Sequence, residues 1–114
     1  MVEDGFFDTV IQNGTIVDGS GESRFQSDIG IKNNRIQAMG DLSMSKSGRQ
    51  INAANRIVAP GFIDVHTHDD RVLLAKPTMD MKISQGVTSV IVGNCGISLA
   101  PLVADNPPPP LDLI

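Results

Sequence analysis

A β-rich first half followed by a strand–helix–strand unit, α+β in total, is the fold that the sequence predicts. Short runs of β-forming residues fill positions 6–58, separated by turn signals rich in Asn, Asp and Gly. Strands of that size joined by tight turns make a small β-sandwich or roll. At Ala59-Pro60-Gly61 the grammar changes, because Pro fixes φ and lacks a donor while Gly relaxes the chain. A strand, a helical stretch and a β-branched strand then follow in the order of a βαβ unit, which builds parallel sheet.

Phe7–Gln12 and Thr15–Val17 flank Asn13-Gly14. Both turn residues accept the positive φ of a type I′ turn, so the pair predicts a hairpin. Asp18–Ser23 is a polar loop, and Asp28–Lys32 meets Asn33-Asn34 and returns as Arg35–Met39. Asparagine tolerates the left-handed region, so this is a second hairpin. The Ser- and Lys-rich stretch Gly40–Gly48 reads as a surface loop. Arg49–Asn52 and Arg56–Val58 read as extended pieces around a turn at Ala53-Ala54-Asn55. Past Pro60, Phe62–His66 alternates apolar and polar residues as a strand does. Thr67–Arg71 reads as a polar turn, with a loop ending at Lys76-Pro77. Thr78 is placed to cap a helix running to Gln85, and Gly86 to end it. Val87–Gly93 is β-branched nearly throughout, the composition of a strand buried on both faces. Pro101 and Pro107–Pro110 favour an extended polyproline conformation. The run serves either as a stiff connector or as an SH3-type ligand.

With 114 residues the chain is the size of one ordinary domain. Its net charge of −4 argues against nucleic acid or an anionic membrane as a partner. There is no Trp or Tyr and only 4 Phe, so the interior must be aliphatic. The single cysteine, Cys95, excludes an internal disulfide and predicts a reducing, cytoplasmic setting. Acidic residues at Glu3 and Asp4 are unlike the basic start of a secretory signal, and no segment reaches the length of a membrane helix.

The chemistry-bearing residues collect at two strand ends. Side chains on a strand repeat with period two, so Asp64, His66 and His68 project to one face. Two imidazoles so placed are either polar residues emerging into solvent or a pair able to lean onto one metal ion. Cys95 ends the next parallel strand, at the level where α/β sheets gather their ligands. A lone cysteine is ordinarily an inert thiol, but a thiolate beside neutral imidazoles is a donor set suited to Zn²⁺. The candidate metal ligands are therefore His66, His68 and Cys95. Asp69 and Asp70 read as solvated turn residues.

Ala59-Pro60-Gly61-Phe62-Ile63-Asp64-Val65-His66-Thr67-His68 is similar to the first-strand signature of the amidohydrolase superfamily. Ser84-Gln85-Gly86-Val87-Thr88 and Gly93-Asn94-Cys95-Gly96-Ile97-Ser98 resemble the D-aminoacylases (N-acyl-D-amino-acid deacylases) in particular. Asp18-Gly19-Ser20-Gly21 and Pro107–Leu113 fit the same subgroup. The resemblance implies that 1–58 is part of a small β-sandwich domain. It makes 59–106 the opening of a (β/α)₈ barrel with its first βαβ unit, and 107–114 a proline-rich connector. It implies Zn²⁺ as cofactor, Cys95 on a tightly bound zinc, and His66 and His68 on a weaker position sharing that cysteine. The implied reaction is metal-assisted hydrolysis of the amide in a small-molecule N-acyl-D-amino acid. The family's aspartate base and its two further histidines come from later strands, so no catalytic residue is assigned within this chain. A barrel needs about 250 residues. The isolated chain is accordingly expected to be inactive and, with unpaired strand edges, prone to self-association. Two other readings stand beside this one: another amidohydrolase, such as a hydantoinase or nucleobase deaminase, or a non-catalytic β-rich module binding a metal or a partner.

Overall fold

The computed structural model describes residues 6–100 and Pro109. The expected connector at 107–114, Pro109 excepted, lies outside the described residues, as do 101–106. The chain divides into two units, Met1–Pro60 and Gly61–Ile114.

The first unit is a single mixed sheet of β1 (Phe6–Ile16), β2 (Phe25–Lys32), β3 (Arg35–Gly40), β4 (Lys46–Asn52) and β5 (Ile57–Val58). Its order is β3-β2-β1-β4, and β5 continues beside β1. β1 is antiparallel to β2 but parallel to β4 and β5. Among the described residues this is one sheet, where the sequence predicted a sandwich of hairpins. The difference begins at Asn13-Gly14, which forms no hairpin. β1 runs straight through it, with a register shift between Ile11 and Gly14 that sets Gln12 and Asn13 opposite Asp28. Asn13 does adopt a positive φ of 62°, but as a β-bulge.

The bulge is tied down from both sides. The Asn13 amide donates to Asp28 Oδ1 at 2.8 Å, and Asn13 Nδ2 donates to Asn52 Oδ1 at 3.2 Å. Gly14 answers a packing demand, since a Cβ there would lie 2.7 Å from Val58 Cγ2. The second hairpin forms as expected: Lys32 pairs with Arg35, and Asn33 and Asn34 have φ of 52° and 59°. β4 starts earlier than its β-forming residues suggest, drawing Lys46-Ser47-Gly48 out of the expected loop to pair with the start of β1. Phe7, Val10, Ile16, Ile29 and Ala53 are buried. The Phe7 ring lies so close to Gly30 that a Cβ there would sit 2.6 Å from it. An apolar groove of about 360 Å³ opens between Ile11, Ile29, Ile31, Ile36, Met39 and Val58.

The second unit holds β6 (Phe62–Thr67), α1 (Asp70–Ala75), α2 (Asp80–Ile83) and β7 (Val87–Val92). β6 and β7 pair in parallel, from Phe62 with Val87 to Thr67 with Val92, giving the expected strand–helix–strand order. α1 replaces the polar turn and loop expected over 67–77. Its Val-Leu-Leu-Ala run favours helix, and Lys76 turns extended at φ −140° before Pro77. The expected helix from Thr78 to Gln85 shrinks to α2. Met79, buried and at φ 47°, takes the N-cap position instead of Thr78, and no side chain caps the helix. Gly86 does end this segment, at φ 79°. β7 is not covered on both faces, since Thr88, Ser89 and Ile91 are exposed, and its only strand neighbour among the described residues is β6.

Candidate metal centre

Parallel pairing places the carboxyl ends of β6 and β7 side by side. Entry into β6 is fixed by the Phe62 amide, which donates to the Gly86 carbonyl at 2.8 Å. Gly61 is needed there for close approach, since a Cβ would collide with the Thr88 side chain. β6 delivers Asp64 and His66, and His68 follows one residue past its end. At the end of β7 the chain turns at Gly93 (φ 75°) and Gly96 (φ 84°), closed by a Gly96 amide to Gly93 carbonyl bond of 2.9 Å. Cys95 lies inside that turn.

The sequence-predicted residues His66, His68 and Cys95 come together: one ring nitrogen from each histidine and Cys95 Sγ lie within 4.8 Å of one another. Cys95 Sγ is 3.5 Å from His68 Nε2, and the two imidazoles have centroids 5.9 Å apart at an angle of 50°. All three side chains are exposed. Tetrahedral Zn²⁺, with bonds of about 2.0–2.3 Å, sets its donors roughly 3.3–3.8 Å apart. The Cys95–His68 separation falls in that span and the others are at most 4.8 Å, and the donor set of two imidazoles and one thiol suits the ion. The residues therefore fit zinc, and three protein donors leave room for further ligands or substrate.

Around this trio lies a polar frame. Asp64 Oδ1 accepts the His66 amide at 3.2 Å, and Lys82 Nζ bridges Asp64 Oδ2 at 2.7 Å and Asp69 Oδ2 at 2.8 Å. The Lys82 hydrogen bond, then the His66 amide, hold the Asp64 carboxyl below its ordinary range. Asp69 is likewise held down by Lys82 and then Thr67, and the two carboxylates in turn raise Lys82. Asp70 is 7% exposed. Burial raises its pKa, but hydrogen bonds from the Leu99 amide and Ser98 hydroxyl outweigh that and leave it lowered. Asp69 and Asp70 are thus anchored groups rather than the solvated turn residues expected, because α1 folds them inward. Lys82 carried no motif signal. Asn94 and Ser98 lay in the quoted cysteine motif, but their partners, Val65 and Asp70, depend on a fold that spacing does not disclose.

The amidohydrolase family matches residues 49–110 of this chain. D-aminoacylase of Alcaligenes xylosoxydans xylosoxydans is 52% identical over 108 residues, which is 95% of this chain and 22% of the relative. A solved D-aminoacylase, studied for its binuclear metal centre, superposes with a TM-score of 0.86 at 54% identity, covering 94% of this chain and 23% of that one. N-acyl-D-glutamate deacylase from Bordetella bronchiseptica, solved with zinc and a phosphonate mimic of the tetrahedral intermediate, gives a TM-score of 0.81 at 46% identity. That match covers 86% of this chain and 21% of the deacylase. The chain spans about a fifth of the length of the curated relatives it matches.

Proposed function

This chain belongs to the amidohydrolase family, and from that premise we propose that it is the N-terminal part of a zinc-dependent hydrolase releasing D-amino acids from N-acyl-D-amino acids. The observation that carries the proposal is the meeting of His66, His68 and Cys95 at the carboxyl ends of two parallel strands. Two imidazoles alone would suit many amidohydrolases; the thiol brought in by Gly93–Ser98 marks the deacylase subgroup. In this reading β6, β7 and the segment between them open a (β/α)₈ barrel spanning 59–106. The sheet of residues 1–58 is one part of a β-sandwich, and its open groove along Ile31, Ile36 and Met39 supports that assignment. The last residues, 107–114, are the connector.

His66, His68 and Cys95 are the residues that would hold zinc. When bound, zinc supplies Lewis acidity to an acyl carbonyl and lowers the pKa of water towards neutrality. This chain's part is binding and orientation. Cys95 would give a bound ion a sulfur donor, which as thiolate offsets part of the metal charge. Asp64 fixes the backbone of His66, and Lys82 engages both Asp64 and Asp69. Neither carboxylate is therefore placed to serve as a general base, and the proton-carrying group must come from elsewhere in the protein.

The test is enantiomer preference. The full-length protein is expected to release amino acid from N-acetyl-D-amino acids much faster than from the L forms, and the isolated chain to release none. Equal rates for both enantiomers, or preferential opening of a cyclic hydantoin, would reassign it within the family.

A further inference from the structure

We propose that Asp70, Asn94 and Ser98 are positioning residues that clasp the cysteine turn onto the histidine strand and set the thiol–imidazole spacing before metal arrives. The proposal rests on the reading of His66, His68 and Cys95 as ligands.

The geometry has two fasteners on opposite sides of Cys95. On one side its neighbour Asn94 donates from Nδ2 to the carbonyl of Val65, the neighbour of His66, at 2.9 Å. On the other, Asp70 Oδ2 accepts the Ser98 hydroxyl and the Leu99 amide, each at 3.0 Å. Asp70 stands two residues beyond His68, so each fastener joins a ligand's close neighbour on one strand end to a ligand's close neighbour on the other. Ser98 Oγ also accepts the Ala100 amide at 3.1 Å, which fixes the hydroxyl so that its proton is directed to Asp70. The turn between the fasteners is closed by the Gly96 amide on Gly93, and a Cβ at Gly93 would lie 3.1 Å from Ser98 Cβ. The motif Gly-Asn-Cys-Gly-Ile-Ser therefore has a division of labour: glycines let the turn close, Asn and Ser fasten it, and Cys projects.

Asp70 is an expensive way to hold a loop if stability were the only use. It is 7% exposed, and its second oxygen, Oδ1, is buried without a hydrogen-bond partner among the described residues. Burying a carboxylate oxygen unpaired disfavours the fold. What the buried carboxylate supplies is position, because an exposed trio such as His66, His68 and Cys95 has little packing of its own to fix it. Supports of this kind typically change metal affinity by about 10–100-fold when removed.

The experiment is Co²⁺ titration of the full-length metal-free protein, reading the thiolate-to-cobalt charge-transfer band and competing the metal with a chelator. The native protein should show the band and Cys95→Ala should lose it. A native protein without the band would overturn the ligand reading and, with it, this proposal. Given the band, Ser98→Ala is expected to keep it but bind Co²⁺ about tenfold more weakly, and Asp70→Ala about 10–100-fold more weakly. The double variant should be no worse than Asp70→Ala, because the serine acts through the aspartate. Ser98→Ala removes a single oxygen from a half-buried residue and keeps the proposal testable even where Asp70→Ala does not fold. Native affinity in Ser98→Ala, or full additivity in the double variant, would overturn the clasp while leaving the ligands standing.

Discussion

In the unit of β1–β5, Phe7, Val10, Ile16, Ile29 and Ala53 are buried, although Ile36 and Met44 stand at 63% and 93% exposure. In the unit that follows Pro60, Phe62, Ile63, Val65, Leu74 and Ile83 stand exposed, each at 60% or more. Yet every candidate ligand lies in that second unit. The contrast separates two jobs that a single chain segment often shares. The first unit holds an interior and no cluster of metal donors among its described residues. The second holds the chemistry on strand ends flanked by exposed apolar side chains, in keeping with the barrel opening proposed above.

The largest effect that would break this comparison is at the metal. Cys95→Ala in the full-length protein is expected to lose most of its tightly bound zinc after dialysis, as read by metal analysis. His66→Asn should lose less, because the resemblance to the D-aminoacylases gives its position the weaker role. Full retention of zinc in Cys95→Ala would take Cys95 out of the ligand set.

Next in size is the interior. Phe7 is 5% exposed, and Phe7→Ala should destabilise the sheet by about 3–5 kcal/mol in denaturant unfolding. Phe62 is 62% exposed, and Phe62→Ala in the isolated chain should change stability by less than about 0.5 kcal/mol. The pair becomes sharper in the full-length protein. There, on the proposed barrel reading, Phe62→Ala should cost several times more, because further strands and helices would cover it. An unchanged small effect would mean that the second unit's exposed face is its finished surface.

The Lys82 bridge supplies a pH signature confined to the second unit. Asp64 and Asp69 are both held below the ordinary carboxylate value, which is about 3.9 for Asp. A lowered native pKa contributes stability that is present above the unfolded value and lost as pH falls through the native one. Lys82→Met removes the main cause of both shifts. The thermal midpoint should therefore fall relative to the parent at neutral pH, and the gap should close as pH drops below about 4. The raised Lys82 pKa adds a loss only at alkaline pH, above about 10.4. A gap independent of pH would show that Lys82 acts through packing rather than charge.

How far the sequence discloses this molecule differs between the same two units. In the second, His66, His68 and Cys95 were legible because strand period and parallel order suffice to put them at one level. Their supports were not: Asp70 reaches Ser98 only because α1 forms where a polar Asp-Asp-Arg cluster suggested a turn. In the first, residue types announced strands and positive φ correctly at Asn13, Asn33 and Asn34. They did not say which positive φ makes a hairpin and which a bulge. An asparagine takes the positive φ in both cases, at Asn13-Gly14 and at Asn33-Asn34, and the choice falls to strand partners far along the chain.

That choice is testable at Asn13, the smallest of the expected effects. β1 passes straight on at this residue because β2 and β4 flank it on both sides, with Ile11 opposite Ile29 and also opposite Ile51. Reversing the chain there would strip β1 of both ladders, whereas a bulge costs one irregular step. The irregularity is absorbed by Asp28, whose Oδ1 takes the Asn13 amide while its Oδ2 takes the Leu42 amide at 3.0 Å. Asn13→Gly keeps the amide donor and relaxes the positive φ but gives up the exposed Nδ2 bond to Asn52, so stability should fall by no more than about 1 kcal/mol. Asn13→Val keeps the donor but forces a β-branched residue into the left-handed region, which should cost about 1–2 kcal/mol. Both are read as shifts in the urea midpoint of the isolated chain or of the full-length protein. If valine proved as stable as glycine, β1 would not need the left-handed step at Asn13, and the asparagine–glycine pair would have to be explained some other way.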